Sequence, residues 1–249
     1  MSGSALLIQL GLTDYREAWE LQRALAAAVK LGAIPDTVVF LEHPPTVTLG
    51  RRTEAGELHI PPAAEVAVVE TDRGGKSTYH APGQLVCYPI LDLTRHGRDV
   101  RRYCRELEQA IIATLGDFGI AAGRIDGLTG VWVQSGRGRA GPAKIASIGV
   151  HISRWVTTHG YALNVDLDAA PFTEWITACG LEDAAFTSMS QELGRPVATD
   201  EARTVAAAAL ADVFGLAFEQ ALGEERGLWP APLRAALAAS VEPSLVSSS

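Results

Sequence analysis

From Thr71 the chain reads TDRGGKSTYHAPGQLVCYPILDL: a glycine pair beside Arg73 and Lys76, then Tyr79 and His80, then Ala-Pro-Gly and an apolar run. Cationic, hydroxyl-bearing and backbone-permissive residues ahead of one buried strand have the makings of a binding loop. The loop matches no phosphate cradle, because RGGKS lacks the longer glycine-to-Gly-Lys spacing of a P-loop and no GxGxxG follows a strand. A nucleotide phosphate site has no motif behind it.

The nucleophile candidates are the three cysteines. Their odd number, the lack of a CxxC pair and the lack of a suitably spaced histidine point to neither a disulfide framework nor a metal site. Cys87, inside LVCYPI, and Cys104, on the apolar side of a helix, read as small buried hydrophobes. Cys179 differs: ITACGL places it at the end of a helix-like stretch and directly before Gly180. There it is either an exposed nucleophile or one more packed thiol. A thiol with a pKa of about 8.5 is only a few per cent thiolate at neutral pH, so a reactive cysteine requires a neighbouring cation, helix N-terminus or base. The strand KIASIGVHIS offers Lys144 at its head and His151 further along, and THGYALNV offers His159. Lys144 opens an otherwise apolar strand, a position that suits a solvated strand end or the partner of a thiol. His80 and His159 each precede small residues, where an imidazole either meets a ligand or bonds a carbonyl for structural reasons.

These residues need elements to position them. DYREAWELQRALAAAVK carries Tyr15, Ala18, Trp19, Gln22, Ala26 and Val29 at helical spacing, with Asp14 and Glu17 at capping-box spacing. TVVFLEH, TVTLG and EVAVVE read as strands, the first two separated by the turn Pro44-Pro45. A second core-facing helix is expected over DVRRYCRELEQAIIATLGDFG, ending near Gly119. GVWV, KIASIGVHIS and THGYALNV follow as three strands, with QSGRGRAGPA as an exposed loop between the first two. The last third is expected to be helical, with a short helix over PFTEWITAC, a longer one over 200–215 and a frayed tail over 235–249. Clustered strands and helices predict one α+β domain, residues 1–249, built on a mixed sheet rather than a doubly wound nucleotide fold.

The chain of 249 residues, 47% hydrophobic, can bury a core without disulfides or metals. A formal net charge of −8 argues against a general nucleic-acid binder and against electrostatic attachment to anionic membranes. No apolar run approaches the roughly 20 residues of a membrane span, and MSGSALLIQLG lacks the marks of a leader, so a cytoplasmic location is expected. The lack of coiled-coil heptads favours a monomer.

Taken in order, EHPPTVTLGRRTE, DRGGKSTYHAPGQLVCYPILDL, DGLTGVWV, KIASIGVHISRWVTTHGYALNV and ITACGLEDAAFTSMSQELG resemble the lipoyl(octanoyl) transferases of lipoate biosynthesis, from about Tyr15 to Arg195. The resemblance implies the biotin/lipoate protein ligase-like fold, which is class II aminoacyl-tRNA synthetase-like. It implies transfer of an octanoyl group from octanoyl-acyl carrier protein to a lysine of the lipoyl domains of 2-oxoacid dehydrogenases or of the glycine-cleavage carrier protein. Cys179 matches the cysteine that forms the acyl-thioester, and Lys144 the lysine that lowers its pKa. Arg73, Gly74, Gly75, Lys76, Ser77, Thr78, Tyr79 and His80 match the loop lining the acyl site, with Tyr79 and His80 expected at its mouth. Ser147, Ile148 and Gly149, and Gly160, Tyr161 and Ala162, match two further acyl-contacting segments. A thioester donor is already activated, so no ATP, metal or redox cofactor is implied. Arg73 and Lys76 have a second possible use, in steering an acidic carrier protein.

Three departures stand out. Ala81 replaces the glycine of HGPGQ, Ala178 replaces a proline before the Cys-Gly pair, and the connection over 134–143 is longer than usual. GRGRAG within that loop is similar to the phosphate-binding motif of biotin ligases, which keeps an ATP-dependent lipoate or biotin protein ligase as the rival reading. A non-catalytic acyl-carrier binding module is the other.

Overall fold

Asp14 sets the first helical boundary. In the computed structural model, which describes residues 3–54, 56–134, 141–176, 185–229 and 231–241, its carboxylate accepts from the backbone N–H groups of Arg16 and Glu17 and starts α1 (Tyr15–Lys30). The other half of the expected capping box does not close, because the Glu17 carboxylate pairs with Arg226 instead. Tyr15, Ala18, Gln22, Ala26 and Val29 are buried, and Leu21 and Leu25 complete the inward stripe.

The remaining elements are β1 (Gly3–Leu12), β2 (Asp36–Glu42), β3 (Thr46–Leu49), β4 (Ala67–Glu70), β5 (Thr78–His80), β6 (Gln84–Ile90), α2 (Val100–Asp117), β7 (Ala122–Ile125), β8 (Leu128–Val133), β9 (Ala143–Ser153), β10 (Val156–Asn164), α3 (Pro171–Glu174), β11 (Ala185–Phe186), α4 (Met189–Leu193), α5 (Thr199–Phe214), β12 (Leu216–Leu222) and α6 (Ala231–Val241). The main sheet runs β12-β1-β2-β6-β10-β9-β8-β7, with β11 added beside the head of β9, and β4-β3-β5 forms a small second sheet. β12, β1 and β2 are parallel, whereas β2 through β7 pair antiparallel, so the sheet is mixed as expected.

Strand alternation divides the core into two layers. Leu6, Ile8, Val39, Leu41, Val86 and Tyr88 face α1, where α6 adds Leu233. Their neighbours Leu7, Val38, Phe40, Leu85 and Cys87 face α2 and α5, meeting Tyr103, Leu107, Ile111 and Leu210. A third cluster, with Val47, Tyr79, Phe172 and Ile176, lies under the small sheet.

Three expectations fail. The last third is not purely helical: β11 joins β9, and β12 closes the parallel edge against β1. The helix expected over PFTEWITAC stops at Glu174, because Ile176 instead forms a bridge to Leu58; residues 177–179 lie outside the described residues. Residues 235–241, expected to fray, continue α6, which is anchored by the fully buried Leu233. No helix among the described residues is long and apolar enough to cross a membrane.

Candidate active site

The two segments SIG and GYA become cross-strand neighbours. β9 and β10 pair Ser147 with Ala162, Ile148 with Tyr161 and Gly149 with Gly160, and all six residues line one cavity of about 390 Å³. A space of that size falls in the range of small-molecule sites. Arg73, Gly74, Gly75, Lys76, Ser77, Thr78 and His80 line it as well.

Glycine is required where the loop meets the sheet. The Gly74 N–H donates to the Val150 carbonyl at 2.9 Å. A Cβ on Gly149 would lie 3.0 Å from the Gly74 carbonyl oxygen, and Gly75 has φ +89°. In HAPGQ the positive φ falls on Gly83, not on Ala81, so alanine at position 81 sits on ordinary backbone.

Lys144 reaches the same cavity from the head of β9. It is 4% exposed, which removes the solvated strand end as a reading. Its backbone pairs with Trp132 of β8 on one edge and with Phe186 of β11 on the other, and the Thr187 N–H donates to its carbonyl. The ammonium lies 5.4 Å from the centre of the Trp132 ring, within cation–π range. Gly130, at φ +114°, makes room for this chain, since a Cβ there would approach Lys144 Cε to 2.6 Å. Cys179 lies outside the described residues, as do Ala178 and the GRGR segment at 136–139. Cys87 is fully buried and burial pushes its thiol far up; burial, followed by the nearby Glu108 carboxylate, also raises Cys104, which touches the cavity.

The histidines are wired into buried chains. His80 Nδ1 donates to Gln84 Oε1 at 2.7 Å, and Gln84 in turn donates to Asn164, whose amide donates to the Thr187 carbonyl. This chain ends beside Lys144, whose carbonyl accepts the Thr187 N–H. His159, held at φ +57°, meets Asp72 Oδ1 through Nε2 at 2.7 Å, with Nδ1 3.4 Å from the Tyr15 hydroxyl. Burial keeps His159 below the usual imidazole range despite Asp72, while the bond to His159 holds the Asp72 carboxyl low. His43 donates from Nδ1 to the Thr13 carbonyl and accepts the Tyr88 hydroxyl at Nε2, both at 2.7 Å.

A pH dependence follows from this burial. Desolvation lowers His43 to about 4 and places His80 well below 6.5. Between those values and 6.5 the unfolded chain binds protons that the native protein refuses, so stability falls as pH drops. His43 alone is expected to remove about 2 kcal/mol between pH 7 and 5. Urea midpoints should drop over that interval and drop less in His43→Gln; equal midpoints at both pH values would contradict the buried neutral imidazoles.

Two roles expected from the sequence do not survive. Tyr79 does not bound the cavity: β5 turns its ring into the third cluster, edge-on to Phe172 and Trp175. Nor is Arg73 placed to steer a partner, being 6% exposed with its guanidinium donating to the Thr48 carbonyl, the Thr48 hydroxyl and the Gly74 carbonyl. It is the clamp that holds the glycine loop on β3. Lys76 is committed to Glu57 and Glu54. Conversely, Tyr15, Tyr88 and Trp132 line the cavity without having been singled out. Tyr15 counted only as part of a helix stripe, and the other two were hidden in the apolar strings LVCYPI and GVWV.

The family model of the lipoyl protein ligase A/B catalytic domain matches residues 14–211. An octanoyltransferase from Roseiflexus sp. is 47% identical over 235 residues, covering 92% of this chain and 95% of that protein. One from Mycobacterium tuberculosis is 52% identical over 209 residues, covering 84% and 86%. Among solved structures, the bipartite lipoate protein ligase of Thermoplasma acidophilum superposes with a TM-score of 0.72 at 15% identity, covering 95% of this chain and 91% of that one, a likeness of fold.

Proposed function

The chain belongs to the lipoyl protein ligase A/B catalytic-domain family and, within it, to the octanoyltransferases, which are acyltransferases; from that premise we propose that it moves an octanoyl group from octanoyl-acyl carrier protein to a lysine of lipoyl domains through a thioester on Cys179. The observation that carries this reading is Lys144, a nearly buried ammonium opening into a cavity walled by the glycine loop and by paired backbone of β9 and β10.

In this reading Lys144 as an ammonium stabilises the Cys179 thiolate, which adds to the octanoyl carbonyl carbon. Collapse of the adduct breaks the donor's carbon–sulfur bond, and Lys144 returns a proton to the departing thiol. Neutral Lys144 then takes a proton from the incoming lysine ammonium, and the freed amine adds to the acyl-enzyme carbonyl. Collapse of this adduct breaks the carbon–sulfur bond to Cys179, which leaves as the thiolate paired with the Lys144 ammonium while the second amine proton passes to solvent. Ala185–Phe186, downstream of Cys179 in the sequence, pairs with Ala143–Lys144. The glycine loop supplies positioning, because its backbone lies directly on β9 where an acyl chain would be confined. The same reading takes the enzyme as a cytoplasmic monomer with one catalytic domain and no cofactor.

Incubation with octanoyl-acyl carrier protein and an apo lipoyl domain, without ATP, is expected to yield octanoylated lipoyl domain by mass. Transfer that instead requires free octanoate and ATP would replace this reading with an adenylating ligase, and tight carrier binding without transfer would replace it with a binding module.

A further inference from the structure

Three residues that line the cavity carry a buried hydrogen-bond donor with no nitrogen or oxygen partner, the Trp132 indole Nε1–H and the hydroxyls of Ser77 and Tyr161. The Tyr161 hydroxyl has the Cys87 thiol beside it, which leaves the donors of Trp132 and Ser77. Trp132 is 2% exposed and Ser77 4%, so water does not satisfy them from outside. Indole is a donor only, and a buried donor without an acceptor is costly, which makes such a group in a cavity wall a mark of a ligand that brings the acceptor. Trp132 stands directly opposite Lys144 across the β8–β9 pair, so the two side chains share one face of the sheet. The ammonium's position over the indole ring confirms that they converge.

We propose that Trp132 is a catalytic residue whose indole N–H receives the octanoyl carbonyl oxygen beside Lys144, and that Ser77 supplies a second donor from the glycine loop. The proposal rests on the octanoyl-transfer reading and names the donors that transfer needs. When a nucleophile adds to the carbonyl carbon, the π pair moves onto oxygen. That oxyanion is the strongest acceptor formed at any point in the reaction, and a fixed, desolvated donor binds it better than it binds the ground-state carbonyl. On collapse the pair returns to rebuild the carbonyl, the donor's carbon–sulfur bond breaks, and the indole keeps its proton throughout. A neutral donor suits this place, because a second cation there would compete with the Lys144 ammonium.

The test is single-turnover transfer from octanoyl-acyl carrier protein by the full chain, read as a rate constant and a donor dissociation constant. Trp132→Phe keeps an aromatic face under Lys144 and removes the N–H. It is expected to lower the rate constant about 100-fold, the scale of one lost oxyanion donor, with the dissociation constant changed less than about twofold. Ser77→Ala is expected to lose a smaller factor in the same parameter. If Trp132→Phe fails to fold, incorporation of the benzothienyl analogue, sulfur in place of the N–H on the same bicycle, carries the measurement. A variant of either kind that transfers at the unaltered rate, or that loses only donor affinity, overturns the assignment. An unaltered protein that does not transfer at all overturns the octanoyl-transfer reading itself, and the inference with it.

Discussion

Lys144→Ala is expected to reduce octanoyl transfer by about 10³-fold or more while the protein stays folded. Proton transfer by one positioned group contributes typically 10²–10⁴-fold, and Lys144 is asked to serve in both half-reactions, once as acid and once as base. Replacing it removes a contact with the face of Trp132, worth on the order of 1 kcal/mol, and leaves the β8–β9–β11 backbone pairing untouched. Lys144→Arg should not restore turnover, because a guanidinium keeps its positive charge but cannot act as the base. Steady-state transfer rates beside thermal melts settle the matter. A melting temperature close to that of the unaltered protein with activity near zero fits the proposed role, and activity within tenfold of normal would remove Lys144 from the chemistry.

Gly160→Ala is expected to have the largest effect on stability, at about 3 kcal/mol or more. Gly160 lies in the middle of β10, where a Cβ would come within 2.2 Å of the Cys87 carbonyl oxygen and 2.6 Å of Pro89 Cδ. Neither atom is the end of a flexible side chain. Relief would require β6 and β10 to separate, and those strands are central in the main sheet. The positive φ of the preceding His159 leaves little freedom to absorb the shift, since the Asp72 contact and the bond from its N–H to Gln22 already hold that residue. Urea unfolding of Gly160→Ala checks the size of the loss, and a midpoint equal to that of the unaltered protein would show that the two strands are less tightly apposed than described.

Much of this architecture was legible in the residues. Asp14 and the stripe behind it define α1, and the three strands GVWV, KIASIGVHIS and THGYALNV appear as β8, β9 and β10. The chemistry of Lys144 was legible only as a pair of alternatives, because strand-end position does not reveal burial. What decides it is tertiary: β11 and Trp132 cover the head of β9. β12 was missed because LAFEQAL gains its strand character from parallel pairing with β1, a contact more than two hundred residues away in sequence. Tyr79 was misplaced for a related reason. β5 turns Thr78 and His80 to the cavity and Tyr79 to the third cluster, and assigning which of them faces the cavity requires the register of β5 against β3. The orphan donors Trp132 and Ser77 could not have been found without coordinates, since being unpartnered is a property of the packed state.

The covalent route is tested most directly by mass. The unaltered protein, Cys179→Ala and Lys144→Ala would each be incubated with octanoyl-acyl carrier protein, without ATP or acceptor, and their intact masses recorded. The account predicts an octanoyl adduct on the unaltered protein, none on Cys179→Ala, and slow or absent formation on Lys144→Ala. An equal adduct on Cys179→Ala, or no adduct on the unaltered protein while transfer to a lipoyl domain proceeds, would contradict the thioester intermediate.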